Sequence, residues 1–377
     1  MLLAYVLRPG DSVRLDDLAE RYLKHRCIAY REVVSKKMHS IAEAPLDEVA
    51  AYAAEDAEVS WRLSRLLAAR LRTEGRLFRH DEIELPLAEV LARMEWHGVR
   101  VDGKALAEFA EELDAKIRAL EEEAAKIAGP ELNLHSPKQL GEYLFERKKL
   151  PGGRRTRTGQ WRTDQEVLER LKDRDPIARL ALEVRFLAKL RSTYAVKLAK
   201  LADPDTGRVH TSYNQATTTT GRLSSSDPNL QNIPIRTELG RRIRRAFVPE
   251  AGFMLVAADY SQIELRLMAH FSGDEALLEA FRKGLDIHAA TAARIAGVPI
   301  EAVDGEMRRR AKVVNFGVLY GMGAGGLARE LGISRAEAQR FIDEYFRRHP
   351  GVRRFIDATV EKAREQGFVE TLLRHRV

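Results

Sequence analysis

Residues 308–321 read RRRAKVVNFGVLYG, and Arg308, Lys312, Phe316 and Tyr320 recur in it every four residues. At about 100° per residue each step of four drifts by only ~40°, so these side chains share one slowly turning helix face. That face is about 18 Å long at ~1.5 Å per residue, with two cations leading and two aromatics following. Length and order suit an extended triphosphate beneath the cations with its base stacked on the aromatics. The same spacing also describes a helix that packs its aromatics into a core and leaves its cations in water. Next come Gly321-Met322-Gly323-Ala324-Gly325-Gly326, a match to G-x-G-x-x-G in letters only. It follows a helix rather than a strand, and no G-K-[ST] ending or βαβ unit accompanies it. Its expected role is to end the helix and supply a flexible joint.

Working back along the chain, Phe253-Met254-Leu255-Val256-Ala257-Ala258 reads as a buried strand with Asp259 at its carboxyl end. A carboxylate there is costly unless paired or metal-bound, although a loop aspartate beyond the strand would carry no such demand. A helix is expected from about Ser261. Within it, Glu264 closes a Ser261-x-x-Glu264 capping box or serves a site, and spacing does not choose between the two.

Composition limits the rest. With 377 residues, 45% hydrophobic and 32% charged, the chain is long enough for two or three domains and too apolar to be disordered. The single cysteine, Cys27, cannot pair within the chain, which excludes a disulfide framework and a cysteine zinc cluster. No run approaches the ~20 apolar residues of a membrane span, so a non-membrane, cytoplasmic protein is expected. The net charge of +7 is modest, but it is concentrated. Residues 146–162 hold Arg147, Lys148, Lys149, Arg154, Arg155, Arg157 and Arg162 against Glu146, and residues 236–245 hold five arginines against Glu238. Two such patches fit a phosphate-tracking surface or a pair of solubilising loops.

Residues 1–75 read as helices. From Leu106 to Ile127 apolar residues at steps of three and four predict an amphipathic helix stopped by Gly129-Pro130. Ser136-Pro137-Lys138-Gln139 predicts a capped helix over 137–149, leading into a mobile Leu150-Pro151-Gly152-Gly153 connection. Residues 176–202 are again helical, 208–213 are β-prone, and helical periodicity resumes from 261 to the end. The class is α+β with helices dominant. No Ser-His-Asp arrangement, H-E-x-x-H or C-x-x-C supports a hydrolase or zinc enzyme.

Taken together, TTTTGRLSSSDPNLQNIPIR (217–236), VAADYSQIELR (256–266) and RRRAKVVNFGVLYG (308–321) closely resemble the consecutive signatures of the family A DNA polymerases of bacteria. The resemblance implies a partial polymerase hand after the tail of a ribonuclease H-like 3′→5′ exonuclease domain. It assigns residues 1–75 to the exonuclease remnant, 80–205 to the lead-in of the palm and the thumb, 206–262 to an incomplete palm, and 263–377 to the fingers. It implies template-directed addition of deoxynucleoside triphosphates to a primer 3′-hydroxyl, with pyrophosphate release, in DNA replication and repair. Two magnesium ions would be bound at Asp259, with the Tyr260 carbonyl nearby. Arg308, Lys312 and His288 would hold the triphosphate, Phe316 would stack near the incoming base, and Tyr320 would lie at the template-side hinge. Glu264 would crowd the sugar 2′ position, and Gln262 would assist at the sugar or minor groove. Primer-template contacts would come from Asn214, Gln215, Arg222, Gln231, Asn232 and Arg236, and backbone-phosphate contacts from Lys189, Ser192 and Thr193. The resemblance further implies a monomer near the nucleoid.

The sequence also departs from the pattern. The family's second metal-binding carboxylate, in an H-D-E motif beyond the fingers, is not reached by Val377, so negligible synthesis by this chain alone is expected. Tyr52 and Asp56 resemble the last exonuclease motif, where Tyr52 would orient water and Asp56 bind metal. The earlier carboxylates are absent, and Glu58 stands where aspartate is usual. Gln160-Trp161 extends a shorter thumb turn, and Arg374-His375 replaces Gly-Arg. Two rivals remain: a single-subunit RNA polymerase relative, in which Glu264 would be out of place, and a non-catalytic DNA-binding fragment.

Overall fold

A computed structural model describes residues 1–235 and 237–377; Arg236, one of the expected DNA contacts, lies outside the described residues. The chain divides into two units, Met1–Leu255 and Val256–Val377, and helices dominate both.

In the first unit, Val59, Leu63, Leu67 and Leu71 recur every four residues along helix Leu46–Thr73 and bury against Ala4, Val6, Leu7 and Leu18. Each such side chain contributes about 1.5–3 kcal/mol when taken fully from water. The wholly buried Arg76 donates to the Leu7 carbonyl at 3.3 Å and to the Val6 carbonyl. It thereby satisfies carbonyls that the short helix Leu2–Leu7 leaves open at its C-terminus.

A larger core follows. Helix Gly103–Ala128 starts where the Asp102 carboxylate accepts from the Ala105 amide at 2.9 Å, and it stops at Gly129, whose φ of 95° suits a residue without a side chain. Its stripe Leu106, Phe109, Leu113, Ile117 and Ala124 is buried, as the periodicity predicts, and the helix packs on Pro176–Lys189. The expected helix over 137–149 forms as one α turn, Pro137–Gly141, then a π-helix to Arg147. Ser136 caps it, but Gln139 turns away to accept from the Asn133 amide at 2.8 Å, so the capping box is not reciprocal. The 176–202 helix likewise widens into a π segment at Leu190–Val196. Two antiparallel ribbons complete the unit: Val99–Arg100 with Arg208–Val209, and Ser212–Asn214 with Ser224–Ser226.

The expected buried strand Phe253–Ala258 is not formed. Phe253, Met254, Leu255 and Val256 are 61–83% exposed, and the run belongs to neither of the two sheets found among the described residues. An apolar run buries as a strand only where neighbouring strands take up its amides and carbonyls, and none lies beside it here.

The second unit packs seven helices from Ile263 to Gln366 around Leu265, Met268, Leu277, Ile287, Val314, Val318, Leu327, Tyr345 and Val352. Asp274, Asp286, Asp304 and Ser334 each cap a helix through a side-chain oxygen. The Asp274 carboxylate also accepts from the Gly351 amide at 3.0 Å and lies 3.0 Å from His349 Nδ1, so one buried side chain ties the start of the unit to its far end.

Candidate functional site

Helix Gly305–Leu319 resolves the ambiguity in its sequence. Ala311, Val314, Asn315, Gly317 and Val318 form its buried face, whereas Arg308 and Lys312 are exposed, Phe316 is half-buried, and Tyr320, the residue that caps its C-terminus, is 61% exposed. The four-residue stripe is therefore a surface, not a core face. Gly321 has φ 69° and the next helix begins at Ala324, so the glycine run does end this helix.

Neighbouring helices set the stripe's chemistry. Arg308 donates through Nε and Nη2 to Asp286 Oδ2 at 2.9 and 2.7 Å. The other oxygen of Asp286 accepts the amides of His288 and Ala289, both at 2.9 Å, and so starts helix Ile287–Ala296. Burial pushes the Asp286 carboxyl up, but those amides and the Arg308 guanidinium outweigh it and hold the group below its ordinary value. His288 is buried, with its ring 5.7 Å from that of Phe316. Burial lowers its pKa; Asp286 opposes this, while Arg308 and Lys312 add to it. Thr291 Oγ1 donates to the Ile287 carbonyl at 2.8 Å and accepts from the Asn315 amide group at 3.2 Å, and that amide group also lies 3.0 Å from His288 Nδ1. With Nδ1 accepting, the neutral ring carries its proton on Nε2 and can offer it to an anion.

Asp286 and Asn315 were missed in the sequence. Aspartate one residue before a helix was a readable capping signal, and Asn315 breaks the apolar series Ala311, Val314, Val318.

The helix expected near Ser261 begins at Ile263. Gln262 precedes it with a left-handed φ of 55° and no side-chain cap, so the Ser261–Glu264 box does not form. Glu264 is half-buried and accepts instead from the Tyr320 hydroxyl at 3.3 Å, which joins the two candidate residues directly.

Asp259 and Tyr260 do not share in this arrangement. Both are exposed on the strandless segment, and no hydrogen bond or ion pair joins them to the stripe among the described residues. Asp259 also belongs to no group of three or more metal-ligating side chains among the described residues. One exposed carboxylate does not meet the demands of a magnesium pair.

The expected DNA contacts lie in the first unit. Lys189, Ser192 and Thr193 are exposed where helix Pro176–Lys189 passes into the π segment, and Ser192 Oγ donates to the Ala188 carbonyl at 2.8 Å. Asn214 donates to Ser226 Oγ at 3.0 Å, and Gln231 donates to the Leu223 carbonyl at 3.2 Å. Arg222 and Asn232 are exposed. Gln215 is engaged internally: its amide donates to the carbonyl of Glu84 at 2.7 Å and to its carboxylate at 2.6 Å. Tyr52 and Asp56 lie one turn apart on helix Leu46–Thr73; burial first, then the Asp56 charge, raises the Tyr52 phenol pKa.

The basic windows differ in kind. Arg241 and Arg245 pair with Glu238, and Arg242 pairs with Glu112. In the 146–162 window Arg155 pairs with Glu146 and Arg162 with Asp164, while Arg147 and Lys148 lie over the Tyr143 ring. Among the described residues no helix is long and apolar enough to cross a membrane.

The chain is 49% identical to DNA polymerase I of Pseudomonas aeruginosa, an alignment that takes in 100% of this chain and 42% of the relative. It is 53% identical to the thermostable DNA polymerase I of Thermus thermophilus over 86% of this chain and 39% of that protein. The chain thus spans about two fifths of the length of these curated relatives. Among solved structures, the POL domain of Pol1 from M. smegmatis, in complex with DNA primer-template and dNTP, superposes with a TM-score of 0.85 at 40% identity. That match covers 100% of this chain and 63% of the other. Residues 1–72 match the profile of a 3′-5′ exonuclease and residues 103–377 that of DNA polymerase family A, and to that family the chain belongs.

Proposed function

We propose that this chain supplies the exonuclease tail, thumb, part of the palm and the fingers of a template-directed DNA polymerase. In this reading residues 263–377 are the fingers. The observation that carries it is the exposed stripe Arg308, Lys312, Phe316 and Tyr320, flanked by His288. Arg308 and Lys312 neutralise the triphosphate, a fixed guanidinium fork and a mobile ammonium playing different parts. The His288 Nε2 proton adds a neutral donor. Phe316 offers a ring to the base, and its contact with His288 fixes where that ring stands. Glu264, held by Tyr320, places a carboxylate where a sugar 2′-hydroxyl would need room, which favours deoxynucleotides over the RNA polymerase alternative. Gln262 lies beside it at the helix start.

Primer-template DNA is held by the exposed Lys189, Ser192, Thr193 and Arg222 and the polar ribbon around Asn214, Gln231 and Asn232, contacts that position a duplex without reading its sequence. The resemblance extends this group to Gln215 and Arg236, though the Gln215 amide is already satisfied by Glu84. Magnesium would be held at Asp259 beside the Tyr260 carbonyl and would supply Lewis-acid chemistry there, although among the described residues Asp259 belongs to no group of three or more metal-ligating side chains.

The test is primer extension beside DNA binding by the purified chain. The proposal expects a complex whose affinity falls steeply with salt, and no extension. Salt-insensitive or absent DNA binding would contradict the polymerase reading, and template-dependent extension would contradict the incomplete catalytic site.

A further inference from the structure

Near the amino end, three donors of different chemistry converge where the sequence predicts no site. Helix Leu46–Thr73 presents Glu55 toward the non-helical segment that follows a short π-helix, Ala19–Leu23. Lys24, with φ 54°, turns the backbone out of that helix, and His25 and Cys27 follow two residues apart. His25 Nε2 lies 2.7 Å from Glu55 Oε1, while the other Glu55 oxygen accepts the Ile28 amide at 2.6 Å. Cys27 is buried at 7% exposure, and burial raises its thiol pKa, with the charges of Glu55 and Asp16 adding to the rise. The imidazole nitrogen, the thiol sulfur and a Glu55 oxygen all lie within 4.8 Å of one another.

We propose that His25, Cys27 and Glu55 form a binding site for a divalent transition-metal ion of zinc's kind, which pins the 24–29 segment to helix Leu46–Thr73. The donor set selects the ion. Sulfur with imidazole and carboxylate suits zinc or cobalt, whereas magnesium and calcium take oxygen ligands. Metal–ligand bonds of ~2.0–2.3 Å in a tetrahedron set neighbouring donors about 3.2–3.8 Å apart, so the cluster reaches ligand geometry when Glu55 and His25 part slightly and the three donors, now within 4.8 Å of one another, draw in around the ion. Glu55 is already aimed, because the Ile28 amide fixes its second oxygen, the kind of outer hydrogen bond that orients a metal-binding carboxylate. The ion replaces the thiol proton, which leaves to water, and a water molecule takes the fourth position. Asp56, the residue that the family resemblance assigns to metal, is not one of the three.

Cys27 is the only cysteine of the chain, so a thiolate signal reports this site alone. The experiment titrates the purified chain with Co²⁺, follows the sulfur-to-cobalt charge-transfer absorption in the near ultraviolet, and then adds Zn²⁺ as competitor. The expected result is one equivalent of Co²⁺ giving the band, with Zn²⁺ abolishing it. Cys27→Ser should lose the band outright, and Glu55→Gln should weaken Co²⁺ affinity by more than about tenfold. Cobalt that binds without a thiolate band, a band that survives in Cys27→Ser, or no band in the wild-type chain would each overturn the proposal. None of these readouts depends on DNA synthesis, so polymerase activity and this site fail or stand separately.

Discussion

Helix Gly305–Leu319 and the run Phe253–Tyr260 both carry residues that the family resemblance places at the reacting nucleotide, yet only the helix adopts a defined arrangement. The helix closes its backbone hydrogen bonds within itself, and its apolar face finds Leu265, Ile287 and Leu327 in neighbouring helices. Its exposed stripe is thus built before any ligand arrives. The run from Phe253 has the composition of a core strand, but a strand satisfies its amides only through other strands, and among the described residues no strand pairs with it. In the proposed reading, the residues that would hold the nucleotide depend on local helical structure, whereas those that would hold metal depend on a sheet.

The sharpest way to break this contrast is to unmake the helical unit. Asp274→Asn removes a buried carboxylate that serves the Leu277 and Gly351 amides and His349, and it should cost about 3–5 kcal/mol, read as a large fall in the thermal midpoint of the second unit. The same group sets an acid limit. Burial pushes the Asp274 carboxyl up, but His349 and the two amides prevail and hold it below the ordinary 3.8. Its contribution is therefore complete above that value and is lost as pH falls through the lower folded value. A pH–stability profile in which Asp274→Asn flattens the acid limb would confirm the sign; parallel profiles would contradict it.

A smaller loss should follow Asp286→Ala, which takes away the cap of helix Ile287–Ala296 at a cost of about 1–2 kcal/mol in urea unfolding. It also frees Arg308, so triphosphate affinity should change along with stability; unchanged stability would mean that the cap is replaced by water. Weaker again is the Tyr320–Glu264 hydrogen bond, for which a Tyr320→Phe and Glu264→Gln double-mutant cycle should return about 0.5–1 kcal/mol of coupling. The smallest effect belongs to the exposed run. Val256→Lys should shift stability by no more than about 0.5 kcal/mol in urea unfolding, and a loss of several kcal/mol would show the strand buried after all.

Legibility in the sequence follows the range of the interactions. Spacing alone exposed the Arg308–Tyr320 stripe and the amphipathic Leu106–Ile127 helix, because helical neighbours sit three and four residues apart. It did not expose His288 against Asn315, 27 residues away, or Asp274 against His349, 75 residues away, since such pairs meet only through tertiary packing. Glu264 shows the same limit in reverse: a local capping box was available on paper, and a tyrosine 56 residues distant took the carboxylate instead. The Phe253 run was misread because hydropathy reports what a segment could bury, not whether a partner stands beside it.

The central claim, that the stripe on helix Gly305–Leu319 receives the triphosphate of an incoming nucleotide, is tested most directly by equilibrium dialysis of a labelled deoxynucleoside triphosphate with the purified chain and primer-template. Binding by the wild-type chain, weakened by roughly tenfold or more in Lys312→Ala and again in Arg308→Ala, is the predicted result for charged hydrogen bonds of ~1.5–3 kcal/mol. Equal affinity in all three proteins would contradict it.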